Sequence, residues 1–416
     1  LANLLILSKD LPYPLDNGHT LRVFHPCCQL AKQHACILVS FGEKTPHLAE
    51  LERKNIFKKV YLIEPAPQVK SLLRHFRWSN KDFVKLSAPQ YHKQVVTLLQ
   101  TLVQRHAIDV VMTFPAILTE FVDPLKNVRK IADSCDCITL TYERLFAHQK
   151  KDMSALMRMS SWLSLQRFKN FEKKLPEAHD SIVSISPADL NTLKKLSKGS
   201  GHHFALIPNG VDAELLAHNS HESEIDNAIV FWGNLNFAPN YSAVNYFYSK
   251  IYQPFLAAHH VKWYIVGKHA NQKILQMATD NKNIIVTGFI DKLYDFAARI
   301  PIMINPMLIG SGLKNKVLEA FALKRLVVSN SLGMEAIIGA QAGVHYIQAE
   351  QPKAFADAIL LYMNDSLGRK RIGENARQLV EERYTWDKIG RQWNQLIEDK
   401  KESPAAIQFT SVGKIF

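Results

Sequence analysis

The run PMLIGSGLKNKVLEAFALKRLVVSNSLGMEAI, Pro306–Ile337, decides the fold. An apolar segment ends at Asn305, a loop carrying Gly310 and Gly312 follows, and helical spacing begins near Lys314. LVVSN (326–330) then reads as the next strand. Strand, loop, helix and strand in this order make the repeating unit of a parallel sheet. Exposed backbone N–H groups where such a helix starts bind phosphate, helped by the helix dipole. Lys314 and Lys316 add positive charge at the same place. Glu319 falls about a turn and a half into the helix, where a carboxylate can accept hydrogen bonds from both hydroxyls of a ribose. An ordinary strand-loop-helix with a solvent-facing glutamate has the same pattern, and these residues alone leave both readings open.

The same alternation extends in both directions. Upstream in the same half lie AIVFWG (228–233), KWYIVG (262–267), NIIVTGF (283–289) and IPIMINP (300–306), with a helix expected from Tyr241 to Ala257. Earlier still come NLLILS (3–8), CILVSF (36–41), KVYLIE (59–64), DVVMTF (109–114), RKIADSCD (129–136) and SIVSIS (181–186). Helices are expected between them at about Leu21–Gln33, Tyr91–Arg105 and Met153–Lys174. IPNGVDAELL (207–216), with its Pro-Asn-Gly turn signals, reads as the hinge between two rounds. The expectation is an α/β protein of two doubly wound, Rossmann-like domains facing across a cleft. The first spans residues 1–207 and the second spans 208–385. A helix at 386–400 is expected to cross back to the first domain, ahead of a tail at 401–416. In open α/β sheets ligands sit beyond the carboxyl ends of the strands. Two such domains suit a two-substrate transfer, each bringing one reactant.

Bulk properties narrow the class. The 416 residues suffice for two domains of ordinary size, and no apolar run approaches the ~18–20 residues of a membrane-spanning helix. Five cysteines, Cys27, Cys28, Cys36, Cys135 and Cys137, form no CxxC pair, which points to reduced thiols in a cytoplasmic protein without a structural metal. The formal charge of +13 calls for an anionic partner. The basic residues are scattered and no nucleic-acid recognition module is present, which argues against DNA or RNA. A denser stretch, KSLLRHFRWSNKDFVK (70–85), reads either as a solvated helix face or as a basic, aromatic-rimmed surface for an anionic membrane.

The stretch VLEAFALKRLVVSN (317–330) resembles the donor site of family-4 glycosyltransferases of the GT-B fold, where a glycine-containing loop, LEA and a G-x-P/L-V-V-S strand recur together. Other segments agree in order: PYPLDNGHTLRVFHPCCQLAKQHACILVSF (12–41), SIVSISPADLNTLKK (181–195), IVFWGNLNFAPNYSAVNYF (229–247), WYIVGK (263–268), VTGFI (286–290) and RYTW (383–386). The likeness covers nearly the whole chain and is greatest to a bacterial branch associated with exopolysaccharide assembly, and it implies that the first domain binds the acceptor and the second the donor. It implies a retaining transfer of a sugar from a nucleoside diphosphate sugar to a hydroxyl of a glycan or lipid-linked acceptor, at the inner face of the plasma membrane. The nucleotide sugar would be a co-substrate; no cofactor is implied, and the absence of a DxD pair at a donor-domain strand end argues against an obligatory metal. Glu319 would bind the donor ribose, and Gly310, Ser311 and Gly312 would line the sugar and phosphates. Gly267 and Lys268 would edge the site, while Phe289 and Ile290 would frame the base. Gly18 would let backbone approach the diphosphate, and Arg22 would reach the same charge.

Two departures from the family pattern stand out. Most members carry a Glu eight residues before the second one, and Ser311 occupies that place. Most also carry an Arg and a Lys after the first donor-domain strand, near Gly233; here Asn234 and Pro239 or Asn240 stand there. Lys314, Lys316, Lys268 or Arg22 are the candidates to neutralise a leaving diphosphate, with Lys316 and Glu319 expected in the catalytic set. On the acceptor side Asp133 is the expected catalytic carboxylate, with Asp136 beside it; helix capping explains either equally well. A nucleotide-sugar epimerase on the same fold and a non-catalytic GT-B partner subunit remain as alternatives.

Overall fold

The computed structural model describes residues 1–65, 83–150, 153–197, 203–218 and 223–399. Most of the basic stretch at 70–85 and the tail at 401–416 lie outside them. Two wholly parallel sheets carry the chain. The first contains β1 (Asn3–Ser8), β2 (Ala35–Phe41), β3 (Lys59–Ile63), β4 (Val110–Phe114), β5 (Arg129–Cys135), β6 (Ser181–Ser184) and β7 (His203–Leu206). Their spatial order is β3-β2-β1-β4-β5-β6-β7. The second contains β8 (Ala228–Trp232), β9 (Lys262–Val266), β10 (Ile284–Gly288), β11 (Ile302–Asn305), β12 (Leu326–Ser329) and β13 (Ile347–Gln348), in the order β10-β9-β8-β11-β12-β13.

Helices cover both faces of each sheet, so the inner strands bury successive residues rather than alternate ones. Every residue of β4, β8 and β11 is buried. Strand order reverses between β1 and β4 in the first sheet and between β8 and β11 in the second. Loops leaving the two strands at each reversal diverge and open a crevice at the carboxyl edge.

The last helix, Trp386–Glu398, packs in the first domain. Trp386, Ile389, Trp393 and Leu396 recur at helical spacing and join Val23, Cys27 and Leu30 in one core. Gly390 lets it lie flush against the helix Gly18–Leu30, since a Cβ there would come within 2.3 Å of Gln29 Cβ.

Several elements differ from the sequence expectation. The helix expected over 241–257 is α-helical only over Ala238–Tyr246, then widens to a π-helix over Phe247–Leu256 that holds Pro254, a residue with no N–H to give to a regular turn. Besides the expected last helix, two more follow β13: Pro352–Asn364 ends and a new one starts where the Asp365 side chain accepts from Gly368 N at 2.8 Å. The edge strands β7 and β13 are too short and too exposed to leave a pattern. No helix among the described residues is long and apolar enough to cross a membrane.

Candidate active site

The donor-side residues expected from sequence come together at the carboxyl edge of the second sheet. Gly233 and Asn234 follow β8, Gly267 and Lys268 follow β9, and Phe289 and Ile290 follow β10. The loop with Gly310, Ser311 and Gly312 leads from β11 to the helix Asn315–Ala322. The turns are pressed together: a Cβ on Gly267 would lie 1.8 Å from the Gly233 carbonyl oxygen, and one on Gly233 would lie 3.3 Å from Lys316 Nζ. Gly312 has φ +69°, and a Cβ there would lie 1.7 Å from Asp136 Oδ1. A first-domain carboxylate thus occupies the space that any side chain at 312 would need.

Lys316 carries the cation of this crevice. Its Nζ donates to Asn240 Oδ1 at 2.7 Å and lies 3.9 Å from the Phe231 ring centroid. Both partners are neutral. Burial brings its pKa down to about 7, against the opposing pull of Glu319. Lys314 turns inward instead, donating to the Ser311 and Gly312 carbonyls at 2.8 and 2.9 Å. Burial lowers its pKa while Asp136, Glu335 and Asp189 raise it. It braces the glycine loop from within. Glu319 accepts from Trp232 Nε1 at 2.8 Å and from the Tyr294 hydroxyl. Burial raises its pKa, and these bonds hold it down. With Leu21, Asp212, Asn315 and Trp386 it lines a small cavity where the domains meet.

Two helix starts face each other across this junction. Asn17 caps the helix Gly18–Leu30, its Oδ1 accepting from His19 N at 2.9 Å and Thr20 N at 3.0 Å. Gly18, the first helical residue, lies against Asn315, the first residue of the other helix: a Cβ on Gly18 would be 3.6 Å from Asn315 Nδ2. Asn209, in the hinge, donates to Asn315 Oδ1 at 2.9 Å. Both helices therefore aim the positive ends of their dipoles at one place, beside Lys316.

Two expected residues have other employment. Arg22 Nε donates to Asp133 Oδ2 at 2.6 Å, and its Nη1 donates to the Pro208 carbonyl at 2.9 Å. Both side chains are at most 2% exposed. Asp133 therefore does not face an acceptor, and Arg22 does not reach a diphosphate. The pair joins β5, the first helix and the hinge. Their positions near strand ends suggested a site, but opposite charges buried together satisfy one another.

First-domain residues that the sequence did not mark grip the loop of Gly310, Ser311 and Gly312. Arg144 donates to the Gly310 carbonyl at 2.7 Å and in a bidentate pair to Glu335 at 2.5 and 2.8 Å. Thr141 and Ser311 hydroxyls share a 2.5 Å hydrogen bond, and Gly312 N donates to Asp189 Oδ2 at 2.9 Å. No local motif marks these residues, since each pairs with a position more than 100 residues away. Asp136, weighed beside Asp133, is the carboxylate that water reaches in the cleft. The protein crowded around it, and then Asp189, push its pKa up to about 6. At the rim Lys268 Nζ lies 3.2 Å from Asp16 Oδ2 of the first domain and 4.4 Å from the ring centroid of the exposed Phe289.

Residues 226–365 match the family model of glycosyl transferases group 1. The chain is similar in structure to TarM (12% identity, TM-score 0.69, covering 96% of this chain and 99% of that one). It is also similar to a glycosyltransferase from Rickettsia africae (14%, TM-score 0.66, 95% and 97%) and to Anabaena HepE in complex with UDP and glucose (12%, TM-score 0.64, 95% and 99%). In sequence it is 22% identical over 410 residues to an uncharacterized 44.6 kDa protein in the cps region of Klebsiella pneumoniae, covering 94% of this chain and 98% of that one. The second domain thus matches the group 1 glycosyl transferases, and the whole chain has the fold of the GT-B glycosyltransferases.

Proposed function

We propose that the protein transfers a hexose from a nucleoside diphosphate sugar to a hydroxyl of a glycan or lipid-linked acceptor, with retention, in the synthesis of a capsular or other cell-surface polysaccharide. One observation carries the donor half of this reading. Lys316, two facing helix starts and Glu319 converge at the β8/β11 crevice, the combination that suits a diphosphate with a ribose attached. Complexes of HepE with UDP and UDP-glucose and of S. aureus TarM with UDP support a nucleotide sugar, with UDP the first to try. The cps-region relative supports the polysaccharide setting.

In this reading Glu319 takes the ribose hydroxyls, and Lys316 with the two helix starts neutralises the diphosphate as it leaves. Arg144, Thr141 and Asp189 hold the glycine loop in place from the first domain. Asp136, not Asp133, faces the sugar side of the cleft. Transfer passes through an oxocarbenium-like state in which the leaving phosphate helps to accept the hydroxyl proton. The protein positions the reactants and neutralises charge, without a covalent sugar intermediate or an obligatory metal.

Thermal unfolding with UDP, GDP, ADP and CMP tests the donor site. A nucleotide at a hundred times its Kd stabilises by about 2.7 kcal/mol. Nucleotide release from the matching sugar donor, continuing in EDTA and dependent on added acceptor, tests transfer. Stabilisation without release under any acceptor supports a binding subunit instead. Appearance of the sugar epimer without acceptor supports an epimerase.

A further inference from the structure

The helix Ala155–Lys173 is anchored at one end and open at the other. Its carboxyl half buries Leu165 and Phe171 and sets Phe168 against Tyr142, their ring centroids 4.6 Å apart, while Lys169 pairs with Glu143 at 2.7 Å. Its amino-terminal turns leave Leu156, Met157, Met159 and Trp162 exposed by 75, 59, 56 and 45%. The helix start is not frayed for want of a cap, because Ser154 Oγ accepts from Met157 N at 3.3 Å. Four large apolar side chains within seven residues on a free helix end are more than folding requires, and they mark an interaction surface.

Charge identifies the partner. Over residues 148–167 the sequence holds four basic side chains, Lys150, Lys151, Arg158 and Arg167, against one acid, Asp152. Arg158 is exposed within the apolar run, and Lys150 is exposed at the end of the helix Ile138–Gln149. Basic residues around exposed Leu, Met and Trp match an anionic bilayer, with Trp at the level of the headgroups. Four side chains cannot supply the roughly 800 Å² per partner of a standard protein interface.

We propose that this helix start is the seat by which the protein docks on an anionic lipid bilayer. The seat deepens the reading of a lipid-linked acceptor, on which its purpose rests. The preceding helix, Ile138–Gln149, packs along it and touches the donor loop through Thr141 and Arg144. Eight residues of helical rise, about 12 Å, separate Thr141 from the end of that helix. A headgroup-linked acceptor held at the seat is thus one short helix away from the donor loop.

The test is cosedimentation of the full chain with vesicles of phosphatidylcholine alone, or with about one-third phosphatidylglycerol. Wild type should bind the anionic vesicles and not the neutral ones. The triple variant Leu156→Gln/Met159→Gln/Trp162→Gln should bind roughly tenfold more weakly, and Lys150→Glu/Arg158→Glu should lose the preference for anionic lipid. These side chains are exposed, so both variants should keep the wild-type Tm and its response to nucleotide. Equal binding by the triple variant, or no binding by wild type, overturns the proposal. So does a wild-type dimer that the triple variant converts to monomer, which would assign the surface to a second copy. Loss of nucleotide release with vesicle binding intact would defeat the transfer reading and leave the seat standing.

Discussion

The crevices at the two strand-order reversals are built alike and furnished oppositely. In the first domain Arg22 meets Asp133 at 2.6 Å in the core and is sealed further by the hinge carbonyl of Pro208. Its guanidinium also lies over the Trp393 ring at 5.2 Å, beneath the returning helix. In the second domain Lys316 donates to a neutral amide oxygen and lies over an aromatic face, with Glu319 acting on it at longer range. A buried charge that finds its opposite is structural; one held among neutral dipoles stays available to an anionic ligand. The contrast separates a charge that holds the fold together from one fit to receive a diphosphate, though both arise beside parallel strands.

The larger loss of stability lies in the first crevice. Arg22→Met leaves Asp133 buried without its partner and should cost about 3–5 kcal/mol, a fall of about 6 °C or more in Tm. Arg22→Met/Asp133→Leu should regain most of the loss, and both variants should keep the Tm increment given by nucleotide. Loss of that increment with an unchanged starting Tm would move Arg22 back into the donor site. Glu319→Ala should behave in the opposite way. Its unliganded Tm should fall by only a few degrees, since Trp232 and Tyr294 lose their acceptor, and the stabilisation of about 2.7 kcal/mol by saturating nucleotide should disappear.

Proton linkage sharpens the contrast further. Lys316, with its pKa near 7 in the free protein, is charged at pH 6 and largely neutral at pH 8. A bound diphosphate favours the charged form, so binding takes up a proton and the Kd should rise with pH above 7, by up to about tenfold per unit. Calorimetric titration from pH 6 to 9 checks this, and Lys316→Met should flatten the slope. An equally steep slope in that variant would assign the linkage to another group. The smallest effect belongs to the rim. Lys268→Ala should change nucleotide affinity only several-fold, because an exposed pair with Asp16 is worth at most about 1 kcal/mol.

Much of this was legible because parallel α/β architecture writes itself locally. Apolar runs such as VVMTF and AIVFW alternate with helical spacing, and the glycine loop before LEAFA marks a strand-to-helix turn that leaves backbone N–H groups free. Those patterns depend on neighbours in the chain, so the two sheets and the placing of Gly233, Lys316 and Glu319 at the β8/β11 crevice followed from sequence. Asp133 and Asp136 show where this ends. Both lie three residues apart at the end of one strand. One is sealed against an arginine 111 residues away, and the other faces the cleft against Gly312. The hold of Arg144 on Gly310 and Glu335 was equally invisible. A strand's apolar pattern states that a carboxylate sits at its end. Which cation or loop meets it depends on packing between domains, because burial and pairing are set by atoms far apart in the chain.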